Sequence, residues 1–304
     1  MRRAVCITVI ANIFFGLTPV YWKFLSEVDN LYILGHRMLW SILFTLIFAA
    51  VDGKLALLRQ AFHNRRALLI SLASGVTIVG NWALYVWAVN AEMVADTSLA
   101  YYMSPLIVFL LSVVLFKERC TKWEGLAVIL AALGIVCATV LTGAFPWVAV
   151  LLAVTFAAYG ALKKIAGLDS AVALTVEMIL LLPVTLIYLG CTSFGPSGQL
   201  ASLTWWQLIL LVGTGFMSSF PLWLYGKGIN QLPLSTVSFL QYLWPTTSLV
   251  VSIFLFHEEV SAQKLACFAL IWAGLLLFSL SKVVKLPECG KKEKKTLAKW
   301  HTAW

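Results

Sequence analysis

Ten stretches of near-continuous apolar sequence partition this 304-residue chain, at about 4–25, 31–51, 67–89, 94–116, 123–142, 146–163, 170–190, 205–227, 233–256 and 263–284. Each is close to the ~20 residues that an α-helix needs to cross the hydrocarbon core of a bilayer. Lipid supplies no hydrogen-bond partners, so only helices and closed barrels span it, and barrel strands are short and alternate apolar with polar residues. These runs are long and do not alternate. The expected fold is therefore all-α integral membrane, with ten transmembrane helices. Composition agrees: 61% of residues are hydrophobic and 12% charged, where a soluble domain would carry about a quarter charged. No stretch is left over for a separate soluble domain. The start, "MRRAVCITVIANIFFGLTPVYWKFL", has a charged head and a long apolar run without a small-residue cleavage signal, and reads as an uncleaved first span.

Lysine and arginine set the expected orientation. With a cytoplasmic N-terminus, 19 of the 22 basic residues fall on inner segments; Lys23, Arg37 and Lys264 are the exceptions. That bias puts both termini in the cytoplasm. It also accounts for the net charge of +9 without a nucleic-acid partner. The basic tail at 286–304 reads as a topology anchor or as a segment lying on anionic lipid.

The chain also writes one long sentence twice. "LYVWAVNAEMVADTSLAYYMSPLIVFLLSVVLFKE" (84–118) and "LYGKGINQLPLSTVSFLQYLWPTTSLVVSIFLFHE" (224–258) align without a gap at an offset of 140, with ten identities in 35 positions. Chance in so biased a composition would give about three or four, so duplication is the better explanation. Lys23 meets Lys164 after a one-residue slip. The repeats are then 1–145 and 146–285, five helices each, followed by the tail at 286–304. Five is odd, so the second copy enters the membrane from the opposite side. Inverted repeats are the architecture of carriers whose halves exchange conformation around a central site.

These features resemble a known family. Two five-span halves ending in "FKE" and "FHE" are similar to the EamA branch of the drug/metabolite transporter superfamily. "FFGLTPVYWKFL", "HRMLWS", "NWALYVWAVN", "TSLAYYMSPL" and "QYLWPT" resemble, more narrowly, its RarD group over about residues 4–285. The resemblance implies a bacterial inner-membrane protein that exports or exchanges small metabolites. It also implies that spans one, three, four, six, eight and nine line a cavity. It supplies no particular substrate.

Candidate site residues follow from polarity at depth. Pro105 and Pro245 lie mid-span, where each deletes a backbone hydrogen bond and is expected to kink its helix. Around them cluster Tyr101, Tyr102 and Ser104 in one copy and Gln241, Tyr242 and Trp244 in the other. Asn81, Trp82 and Tyr85 join from span three, Trp223 from span eight, and Asn12 and Tyr159 from spans one and six. Polar groups at this depth face a cavity or glue helices together, and for any one residue both readings stand. Aromatic walls with amides and hydroxyls suit an amphipathic molecule, aromatic or zwitterionic. Trp22, Trp205 and Trp206 read instead as interfacial anchors.

Two charges stand inside the spans, Arg37 and Glu177, equivalent at the 140 offset. Their depths differ by roughly 10 Å, so each is expected to have its own partner. Asp96 or Glu92 is in reach of Arg37, and Lys227 or Lys164 of Glu177. Arg37, Glu177 and Lys227 are thus candidates for gating or coupling, and a desolvated Glu177 is a candidate proton carrier. The rival classes fare worse. The six cysteines show no CxxC pair, and no HExxH, GxSxG or Gly-rich nucleotide loop occurs. An enzyme, a metal or cofactor site and an ATP-driven pump are therefore not expected. Connections of about 15 residues at most leave little surface for a scaffold or receptor.

Overall fold

A computed structural model describes residues 2–91, 93–142, 146–194, 198–257, 266, 269–274, 276–278 and 280. Among them the chain is helical, without a strand. The elements are α1 (Arg2–Lys23), α2 (Asn30–Val51), α3 (Leu55–His63), α4 (Arg65–Asn90), α5 (Val94–Val114), α6 (Lys122–Thr142), α7 (Trp147–Ala166), α8 (Ser170–Ser193), α9 (Gln199–Ser202), α10 (Trp205–Gln231), α11 (Leu234–Leu240) and α12 (Leu243–Phe254). Among the described residues seven stretches are long and apolar enough to cross a membrane: α1, α2, most of α4, α7, α8, α10, and α11 with α12 taken together. Large apolar side chains such as Leu69, Ile187 and Phe254 are exposed along them, as are Leu110 of α5 and Ile129 of α6. Such a surface is stable against lipid tails and costly against water. This is a multi-pass membrane protein. Half of the expected tenth span and the whole tail at 286–304 lie outside the described residues.

The duplication is written into local structure. Asp29 caps α2 by accepting from the Tyr32 N–H (2.8 Å), and Asp169, 140 residues on, caps α8 by accepting from the Ala171 N–H (3.0 Å). The starts of α4 and α10, and of α5 and α11, also differ by 140, as do the ends of α5 and α12. Two non-glycine residues among those described adopt left-handed backbone, Lys117 (φ 50°) and His257 (φ 54°). They are equivalent positions of "FKE" and "FHE", in a region most side chains avoid. The packing is paired as well. α5 lies on α7 as α12 lies on α1, α4 on α7 as α10 on α1, and α8 on α4 as α2 on α10. Each half is thus built on the other.

Two features depart from the expected pattern. The short helix α3, in the connection between the second and third spans, packs Ala61, Leu57 and Leu58 against Val172 and Val176 of α8. The two prolines also behave differently. α5 runs unbroken through Pro105, whereas the helix containing Pro245 is interrupted at Gln241 and Tyr242. There the Tyr242 N–H bonds the Phe239 carbonyl (3.2 Å) and the Trp244 N–H bonds that of Gln241 (3.0 Å), a tightening to three-residue spacing.

Candidate functional site

A cavity of about 420 Å³ lies between the halves, within the range of small-molecule sites. It runs from the middle of the bundle toward the end where α1 and α12 finish, at Trp22 and Phe256. Arg37, Asn81, Trp82, Tyr85, Tyr101, Tyr102, Ser104, Trp244 and Pro245 all line it. They come from α2, α4, α5 and α12, held by the inter-half packing above.

Several wall residues are tied into the scaffold. Asn81 donates to the Leu152 carbonyl and to Thr155 Oγ1 of α7, both at 2.8 Å. Tyr102 donates to the Pro245 carbonyl at 3.3 Å, joining the helices that carry Pro105 and Pro245. Ser104 Oγ is buried and unpartnered. Asn81→Ala should therefore destabilise the fold by about 1–3 kcal/mol, because Thr155 and the Leu152 carbonyl lose their shared donor in a dry setting. Thermal unfolding of the detergent-solubilised variant measures this; an unchanged melting temperature would remove Asn81 from the α4–α7 contact.

The cavity floor is aromatic. Trp244 stacks on Phe15 (4.7 Å between centroids), tilts against Tyr101 (4.5 Å) and meets Phe156 edge-on (5.6 Å). Beyond that floor, the remaining expected site residues are buried away from the cavity. Asn12 bonds the Thr8 carbonyl at 2.7 Å. Tyr159 is fully enclosed, Gln241 donates to the Tyr225 hydroxyl, and Tyr242 packs against Phe239. Deeper still, Lys163 bonds both oxygens of Glu177 (3.0 and 3.3 Å), and Ser74 donates to the same carboxylate at 2.8 Å. The partners expected for Glu177 are thus corrected. Lys227 pairs with Asp52 (2.8 Å) and lies over the Trp223 ring, whose Nε1–H bonds the same carboxylate. Lys164 pairs with Glu118 (3.1 Å). Lys163 and Lys164 are one residue apart on α7, and helix rotation sends only the first inward.

Trp22, read from the sequence as an interfacial anchor, also lines the cavity, and its ring centroid lies 4.8 Å from the Arg37 guanidinium carbon. Trp205 and Trp206 stand exposed at the start of α10. Of the carboxylates expected near Arg37, Glu92 lies outside the described residues, and so does the Asp96 side chain. Phe15 and Phe156 were not singled out from the sequence, yet a signal was there. The one-residue slip that pairs Lys23 with Lys164 also pairs Phe15 with Phe156 and Trp22 with Lys163.

The closing Glu of "FKE" has a structural task. Glu118 accepts from the Leu234 and Ser235 N–H groups (2.7 and 2.9 Å), capping α11 from the other half. Its equivalent, Glu258, lies outside the described residues.

Comparison with known proteins gives one consistent result. The EamA-like transporter family matches residues 2–140 and again 145–280. The uncharacterized transporter YojE of Bacillus subtilis (strain 168) is 38% identical over 93% of this chain and 95% of its own. Protein RarD of Salmonella typhimurium is 30% identical over 93% and 96%, respectively. A protein of known crystal structure shares the fold, with a TM-score of 0.71 at 18% identity, over 91% of this chain and 98% of that one. Two matches in tandem, with relatives alike along nearly the whole length, make this chain a membrane transporter of the EamA-like family, in the drug/metabolite transporter superfamily.

Proposed function

We propose that the chain is a secondary active transporter of the bacterial inner membrane, exporting or exchanging small organic metabolites or drugs. It works by alternating access between two inverted five-helix repeats, with both termini in the cytoplasm. One observation carries this reading. Tyr85 and Tyr101 meet ring to ring (6.0 Å between centroids) on the wall of the open cavity, while their repeat equivalents Tyr225 and Gln241 make the same helix-to-helix contact inside the closed layer. Equivalent residues occupy an open and a shut environment at once. Exchanging the two environments would close one end of the bundle and open the other, at the cost of repacking contacts that already have a counterpart. Basic residues on the inner segments make the open end the external one.

In this cycle Phe15, Phe156 and Trp244 are the barrier beneath a bound substrate, and Lys163, Glu177 and Ser74 seal the cytoplasmic side. Tyr159, Gln241, Tyr242 and Asn12 would meet substrate once that side opens. The aromatic walls suit an aromatic or zwitterionic molecule, and Glu177 is the candidate for proton coupling.

Topology and access test the reading together. A reporter fused after Lys122 should score cytoplasmic and one after Val260 external; the same side for both would end the inverted-repeat model. In a background without the six native cysteines, Ser248→Cys should react with an impermeant maleimide added outside. Ser74→Cys should react only from the cytoplasm and only when the opposite state is populated. Equal labelling of both from one side would mean a channel or a static bundle.

A further inference from the structure

We infer that the cavity is an anion site, with Arg37 binding the carboxylate of a small organic acid whose apolar body rests on the aromatic floor. The inference rests on the transport reading above and names the substrate class for the same cavity.

The guanidinium of Arg37 is held in a fixed pose. Its carbon lies 4.8 Å from the centroid of Trp22 and 4.2 Å from that of Trp82, between two indole faces. Its Nε–H donates to Ser218 Oγ at 2.9 Å. That hydroxyl spends its own proton on the Thr214 carbonyl (2.8 Å), so it can only accept from Arg37. These contacts orient the group and are electrically neutral. The remaining four N–H donors belong to the two terminal nitrogens, in a fork that matches a carboxylate bidentately.

Among the described residues no carboxylate pairs with this charge, and Arg37 is the one ionised side chain lining the cavity. Other described acids are committed elsewhere: Glu177 to Lys163, Asp52 to Lys227, Glu118 to Lys164, and Asp29 and Asp169 to helix N-termini. A guanidinium within a membrane span needs a partner, and closure over the cavity would strip away the water that now serves as one. A bound anion supplies the missing charge, so closure is easier loaded than empty. A cation gains nothing comparable, since no carboxylate lines the wall among the described residues. Phe15, Phe156 and Trp244 offer the body of the ligand an aromatic surface, and the volume restricts it to a small molecule. A flat carboxylate on a ring or short chain satisfies both ends.

The test uses the full-length protein in nanodiscs and three probes alike in their apolar part: 3-phenylpropionate, 3-phenylpropanamide and 3-phenylpropylamine, each titrated by calorimetry. The carboxylate should bind at least about tenfold more tightly than the amide, the scale of one charge-assisted bidentate contact, and the amine should bind most weakly. Arg37→Gln should bring carboxylate and amide to within roughly threefold of each other. Arg37→Lys should keep a reduced preference, having the charge without the fork. If Arg37→Gln fails to fold, the wild-type comparison decides alone, and Ser218→Ala, which frees the guanidinium from its orienting contact, should narrow the gap. Amide binding as tightly as the carboxylate, preference for the amine, a carboxylate preference that survives in folded Arg37→Gln, or no binding by any probe would overturn the anion site. Those results leave the accessibility and topology tests untouched, while failure of those tests with the carboxylate preference intact would remove the transport cycle and keep the site.

Discussion

Glu177→Gln should be the most destabilising conservative change in the chain. Lys163 and Glu177 are 3% and 1% exposed, and the carboxylate accepts from Lys163 and Ser74 together. Gln keeps the shape but removes the charge, stranding a buried ammonium. Breaking one side of such a pair costs about 3–5 kcal/mol, even where the pair as a whole contributes little. The unfolding temperature in detergent should fall clearly. Adding Lys163→Met should recover most of the loss, while Lys227→Met or Lys164→Met should not, because those lysines answer to Asp52 and Glu118. Recovery with Lys227→Met instead would mean that the α7–α8 pairing is wrong. A proton-carrying Glu177 adds a second signature in proteoliposomes, where the variant keeps exchange but loses accumulation driven by a pH gradient. Arg37 should show no coupling energy with Glu177 in a double-mutant cycle, since each has its own neighbours.

Gly215→Ala is expected to do comparable damage for a different reason. A Cβ there would stand 2.4 Å from the Trp40 carbonyl carbon and 2.7 Å from its oxygen. Backbone cannot swing aside as a side-chain tip can, so α2 and α10 must separate. Overpacking of this kind costs about 1–3 kcal/mol, and a larger side chain costs more. The same contact brings Arg37 of α2 to Ser218 of α10, so ligand binding should weaken along with stability. Gly80→Ala is the control: nothing lies within 4 Å of its added Cβ. A helical Ala there should be neutral or stabilising by about 0.5–1 kcal/mol. Equal melting temperatures for the two variants would show that α2 and α10 do not approach so closely.

Much of this was legible in one dimension because the membrane simplifies the code. A run of about twenty apolar residues can do little in lipid but form a helix, so helix limits emerged close to the expected ones. The 140-residue register proved to be structural down to Asp29 with Asp169 and Lys117 with His257. α3 was missed because its period was masked between two longer runs. The break at Gln241 was placed near Pro245, but not its absence at Pro105; the same residue is tolerated or not according to how the surrounding turns repack. Among the candidate residues, Arg37, Asn81, Trp82, Tyr85, Tyr101, Tyr102, Ser104 and Trp244 came together at one cavity. Tyr159, Gln241, Tyr242, Asn12 and Trp223 did not. Sequence equivalence marks positions on helices, and only the asymmetric closure of the two halves separates exposed equivalents from buried ones.

What the sequence determined by itself is the helical membrane-spanning character, the duplication at an offset of 140 residues and the family, because all of these depend on periodicity and apolar length along one chain. Tertiary structure decided the partners. Adjacent lysines 163 and 164 reach different acids, Trp22 lies over Arg37, and Phe15 and Phe156, equivalent under the one-residue slip, close a floor under Trp244. A helix rotates by about 100° per residue, so a one-residue difference that is nearly silent in hydropathy turns a side chain from one neighbour to another. That rotation, fixed only when the halves pack together, is what assigns the paired charges their counterparts and leaves Arg37 facing the cavity with no carboxylate beside it among the described residues.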